Sequence, residues 1–65
     1  MPLFTFYPCR SDGTSTAFET FEEAGVTAAL ARAERVLSEH PSAVQVIVWR
    51  GERRVGAVAR VTHHA

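Results

Sequence analysis

The stretch Ala43-Val44-Gln45-Val46-Ile47-Val48-Trp49-Arg50-Gly51-Glu52-Arg53-Arg54-Val55-Gly56-Ala57-Val58-Ala59-Arg60 decides the fold, because it sets its own register. Val44, Val46 and Val48 alternate with Ala43, Gln45, Ile47 and Trp49, and after an interruption Val55, Ala57 and Ala59 alternate again. Period-two alternation marks strands with one buried face. A two-residue turn at Gly51-Glu52, glycine first as a type II′ turn requires, predicts Trp49 opposite Arg54 and Val48 opposite Val55. Val46 is then expected opposite Ala57, and Val44 opposite Ala59. One face of this hairpin is aliphatic and is expected to be core. The other carries Gln45, Ile47, Trp49, Arg54, Val58 and Arg60, and is the expected interaction surface.

Upstream, the period changes. Val26, Leu30, Ala33 and Leu37 fall on one helical stripe, with Ala29 and Val36 at its edge. Thr20 and Glu23 match a capping box, but Gly25 and the β-branched Val26 and Thr27 favour a start between Ala24 and Thr27. His40 precedes Pro41 and is pushed from helical angles, so the helix is expected to stop near Glu39.

The N-terminal segment Leu3-Phe4-Thr5-Phe6-Tyr7 reads as a strand with Phe4 and Phe6 inward, ended or bulged at Pro8. Asp12-Gly13 is a turn signal, and Thr16 to Phe21 resumes an extended pattern. A tight turn there would place Glu19 opposite Phe6 on the core face. A longer loop or bulge that brings Phe18 inward is therefore expected. The order is ββαββ: an α+β fold with one helix packed on a four-stranded antiparallel sheet, strand order 2-1-3-4 favoured over 1-2-4-3. The expected core is Phe4, Phe6, Phe18, Val26, Leu30, Ala33, Leu37, Val44, Val46, Val48, Val55 and Ala57. Residues 1–61 form the single domain, and 62–65 are expected to fray.

A chain of 65 residues with 46% hydrophobic and 22% charged content is one small soluble domain, near the lower limit at which a single core suffices. Self-association is the simplest remedy. One cysteine excludes an internal disulfide, no Cys/His spacing suggests zinc, and no apolar run is long enough to span a bilayer, so a cytoplasmic protein without metal or cofactor is expected. The net charge is zero, which argues against binding nucleic acid chiefly through phosphates. The charge is nonetheless asymmetric: the acidic residues Asp12, Glu19, Glu22 and Glu23 crowd the first half, whereas six of the seven arginines lie from Arg32 onward.

In Tyr7-Pro8-Cys9-Arg10-Ser11-Asp12-Gly13, Ala29-Leu30-Ala31-Arg32-Ala33 and Trp49-Arg50-Gly51-Glu52-Arg53-Arg54, the chain resembles small uncharacterised proteins of GC-rich proteobacteria. The absence of lysine and the ten alanines suit such a genome. The resemblance implies a bacterial origin and supports the fold, and it carries no activity to any residue.

Candidate chemistry is sparse. Cys9 beside Arg10 has the cation that would activate a thiol, but no partner base, and an inert half-buried cysteine is the plainer reading. His40 at a helix end is explained by the dipole. His63 and His64 are adjacent without a third ligand, which makes a poor metal site. No paired acid and base, activated nucleophile or phosphate-cradling loop is present, so no enzyme is expected. Trp49 beside Arg54 on a sheet face, with Ile47, Val58 and neighbours such as Leu3, Thr5 and Tyr7, admits three readings. These are a protein contact, in the first place a homodimer through this face or a sheet edge; a solvated cation–π pair; or a stacking platform for nucleic acid using Trp49, Arg50, Arg53 and Arg54. The first is favoured, with another protein as the partner if not a second copy. No membrane contact is expected.

Overall fold

Gly51 adopts a φ of 61° while Glu52 keeps a negative φ, the combination that defines a type II′ turn and closes the second hairpin as its glycine requires. The computed structural model describes residues 1–15 and 17–60. They form β1 (Leu3–Cys9), β2 (Glu19–Glu22), α1 (Val26–Ser38), β3 (Gln45–Arg50) and β4 (Arg53–Ala59). Every neighbouring pair is antiparallel and the strand order is β2-β1-β3-β4, so the chain is an α+β fold with one helix on a four-stranded sheet. The helix lies over β3, β4 and β1. The expected domain end at 61, the tail 62–65 and its His63 and His64 lie outside the described residues.

Trp49 is opposite Arg54 as the turn dictates, but the hairpin does not continue in step. A β-bulge gives β4 one extra residue, Val55, so that Val48 faces Gly56, Val46 faces Val58 and Gln45 faces Ala59. Side chains alternate at period two, so one inserted residue exchanges the faces of everything beyond it. Val58 therefore packs against the core and Ala57 points away from the helix, the reverse of the sequence expectation. Gly56 lies beneath Leu30, where an added Cβ would stand 3.0 Å from Leu30 Cδ2; the glycine lets the helix side chain seat on the strand.

The first hairpin departs by one residue as well. Its loop is longer than two residues: Arg10 N donates to Thr14 O at 2.8 Å and Gly13 N to Arg10 O at 2.9 Å, with Gly13 at φ 86°. A regular ladder from the Arg10–Thr14 pair would bring Phe18 opposite Phe6. One residue is gained between Thr14 and Glu19, so Glu19 faces Phe6 and Phe21 faces Phe4. Phe21 takes the inward place expected for Phe18, its ring edge-on to Phe6 at 5.7 Å, and Phe18 is 62% exposed. The Glu19 carboxylate points to the core side at the sheet margin, where its Oε2 is buried without a hydrogen-bond partner among the described residues. In the loop, Asp12 is held below the ordinary value of 3.8 by the Thr14 hydroxyl first, then the Thr14 N–H and the Arg10 charge. A lowered carboxylate stabilises the fold above its unfolded value and loses that effect as pH falls through the folded one.

β1 runs through Pro8 to Cys9 rather than ending there. Val44 N donates to Cys9 O, so the polar groups of Cys9 face β3 and those of Pro8 face the other side, where β2 has already ended. Proline's missing donor is thus harmless.

The core consists of Phe4, Phe6, Ala29, Ala33, Val36, Leu37, Ala43, Val46 and Val48, with Phe21, Leu30, Val55 and Val58 packed against it. Ala29 and Val36, at the edge of the expected stripe, are fully buried, while Val26 is 42% exposed. The helix has rolled so that Ala29 and Ala33, two of its four alanines, meet the sheet, and the small side chains let it approach over the phenylalanines. Val44, expected in the core, is likewise 42% exposed: it sits at a bend before β3 begins, and Ala43 is buried in its place.

The helix starts at Val26 with Gly25 as N-cap and no side-chain cap bond, so the Thr20–Glu23 box is not used. Glu23 instead accepts from Arg32 Nε at 2.8 Å, and the Arg32 guanidinium lies 4.4 Å from the centre of the Phe21 ring. These two contacts tie the helix to β2. At the other end His40 Nδ1 lies 2.7 Å from Val36 O, and because a carbonyl only accepts, that nitrogen carries the proton.

Candidate interaction surface on the outer sheet face

A single helix can cover one face of this sheet. On the other, the registers align side chains in rows across the strands: Thr20, Thr5, Trp49 and Arg54 form one, and Tyr7, Ile47 and Ala57 the next. Tyr7 and Phe18 lean together with ring centres 5.8 Å apart, extending the second row to the β2 margin. Leu3, 54% exposed, lies beyond the first row opposite Glu22. An aromatic and aliphatic band thus crosses the middle of a sheet face that no element among the described residues covers. A shallow groove of about 470 Å³ runs along it, lined by Tyr7, Ile47 and Trp49, with Cys9 and Ser15 at one end and Gly51 and Glu52 at the other.

Of the six residues expected on this surface, Gln45, Ile47, Trp49 and Arg54 share the outer face. Val58 and Arg60 do not. The bulge at Val55 turns Val58 to the helix side, and the Arg60 guanidinium reaches Leu37 O at 2.8 Å, Ala43 O at 3.1 Å and His40 O at 3.2 Å. Arg60 therefore belongs to the end of the helix, where a cation also meets the negative pole of the dipole. Ala57 and Ala59 take the vacated outer positions on β4, and Phe18 joins the face at its β2 margin. Nothing local in the sequence signals Phe18, since its orientation depends on the residue gained before β2.

Trp49 and Arg54 are cross-strand neighbours, but among the described residues the one cation–π contact is that of Arg32 over Phe21. The contact set weighed for nucleic acid is divided. Trp49 and Arg54 are on the outer face, whereas Arg50 and Arg53 pair on the helix side and flank a separate groove with Val26 and Val55. Cys9 is a free thiol, 5% exposed, and its S–H points to Tyr7 O at 3.3 Å. No group of three or more His, Cys, Asp or Glu residues able to hold a metal occurs among the described residues, and no helix there is long and apolar enough to cross a membrane. Comparison with family models, curated proteins and solved structures returns no match for the chain.

Proposed function

We propose that this chain is a non-catalytic interaction module that self-associates through the outer face of its sheet. The observation that carries the reading is the band of Tyr7, Phe18, Ile47 and Trp49 on the face opposite the helix, which none of the described elements covers. Apolar patches of this kind on small domains mark contacts. Strand spacing and rise give the face a footprint of about 19 by 20 Å, roughly 400 Å², smaller than the ~800 Å² per partner of a standard interface. The expected association is accordingly micromolar rather than nanomolar. We place it in a reducing cytoplasm, in keeping with the unpaired Cys9.

Light scattering is expected to give twice the chain mass at a few hundred micromolar, with blue-shifted Trp49 emission, and Trp49→Ala is expected to shift the chain to monomer. A monomeric wild type with fully solvated Trp49 would sink the reading. A dimer that survives Trp49→Ala unchanged would move the contact to a sheet edge, β2 or β4.

The competing reading, single-stranded nucleic acid on Trp49 with Arg50, Arg53 and Arg54, loses ground because those arginines are split between two faces. Its test is a titration of labelled oligonucleotides at low salt. Micromolar binding that weakens steeply with salt and falls on Arg54→Ala would restore it.

A further inference from the structure

The free charges of the outer face assign a symmetry to the self-association, an inference that rests on the reading just proposed. Glu22 lies opposite Leu3 at the β2 margin of the sheet, and Arg54 lies opposite Trp49 at the β4 margin. Both are exposed, and neither has a hydrogen bond or ion pair among the described residues. The registers put them near the same end of the strands, offset by two residues or about 7 Å, on opposite sides of a sheet about 14 Å from first strand to last.

Two copies stacked through this face with their strands aligned can be related by a two-fold axis lying between the sheets, either across the strands or along them. With the axis across the strands, β2 covers the partner's β2 and β4 the partner's β4. Each acidic margin then meets its own kind, and Arg54 has no carboxylate to meet. With the axis along the strands, the margins exchange while the ends stay in place. The partner's β4 then covers β2, and Glu22 comes within reach of Arg54 of the partner subunit, twice per dimer. We propose that the partner is a second copy of this chain docked about a two-fold axis parallel to β1 and β3 and passing between them, with two reciprocal Glu22–Arg54 ion pairs flanking the aromatic band. The arrangement also lays β1 against the partner's β3, so Tyr7 of each copy packs on the Ile47 and Trp49 side of the other. Glu52, in the turn at the Arg54 end, is then a second carboxylate close to Glu22 of the partner subunit, and opposes the pairing.

Charge reversal decides the matter, read by sedimentation equilibrium with circular dichroism confirming that each variant folds. Glu22→Arg and Arg54→Glu are each expected to weaken the dimer about tenfold, since each puts like charges together at two places. The double variant E22R/R54E is expected to return to within about threefold of wild type, and Glu52→Gln to tighten the dimer. A wild type that dimerises and buries Trp49, but whose double variant is as weak as the worse single or whose Glu52→Gln variant is looser, would overturn this axis and leave the outer-face reading standing. A monomeric wild type would defeat both.

Discussion

Phe6→Ala is expected to remove a large part of the stability of the chain. Phe6 is fully buried on the central strand β1, opposite Val48 on one side and Glu19 on the other, with the Phe21 ring edge-on at 5.7 Å. Truncating such a phenylalanine costs about 3–5 kcal/mol, from lost transfer energy and the cavity left behind. A domain of this size has only about 3–10 kcal/mol to lose. The cavity cannot close easily, because the ring is held between a helix that already approaches on alanines and a sheet fixed by its ladder. Leu30→Ala is the useful contrast. Leu30 is half-buried and sits over Gly56, so its truncation opens toward solvent and is expected to cost about 2 kcal/mol, at the low end for a leucine. Urea denaturation followed by circular dichroism gives both values. A Phe6→Ala variant within about 1 kcal/mol of wild type would contradict the packing described.

Arg60→Ala is expected to cost about 1.5–3 kcal/mol, far more than an exposed residue near the end of a strand would suggest. Its guanidinium donates to Leu37 O, His40 O and Ala43 O, carbonyls at the end of α1 and in the following loop, of which the first two also accept from the His40 and Ala43 N–H groups. Removing the fork leaves Ala43 O unpaired among the described residues, leaves Leu37 O and His40 O with only the backbone N–H groups of His40 and Ala43, and cuts the tie between β4 and the helix. Arg60→Lys should recover only part of the loss, because one ammonium cannot span acceptors that Nε and Nη2 reach together. Denaturation gives the energy, and hydrogen exchange locates it: the amides of Glu39, His40 and Ala43, which close the helix end and the next turn, are expected to lose protection first. A cost below about 0.5 kcal/mol, or lysine equal to arginine, would show that the three bonds do not persist in solution.

These two residues mark the divide between what the amino-acid order settles and what assembly settles. Element types were legible because their causes are local. Alternation makes β1, β3 and β4, the 3.6-residue stripe makes α1, Gly51 makes the type II′ turn, and Pro41 ends the helix; each depends on residues a few positions apart. The strand order was legible too, from which strands are apolar enough to be central. The faces were not. Whether Val58 or Ala57 points inward depends on a single bulge at Val55, and whether Phe18 or Phe21 does depends on a single residue gained before Glu19. Both choices are made by how the helix, rolled onto Ala29 and Ala33, fills the space over the sheet. Arg60 reads as one more charge on a strand until β4 is brought beside the end of α1. Sequence by itself therefore determined the elements, their order and the existence of a sheet face, bearing Ile47 and Trp49, that the helix does not cover. Tertiary packing decided which residues complete that face, because period-two alternation turns a one-residue shift into an exchange of inside for outside.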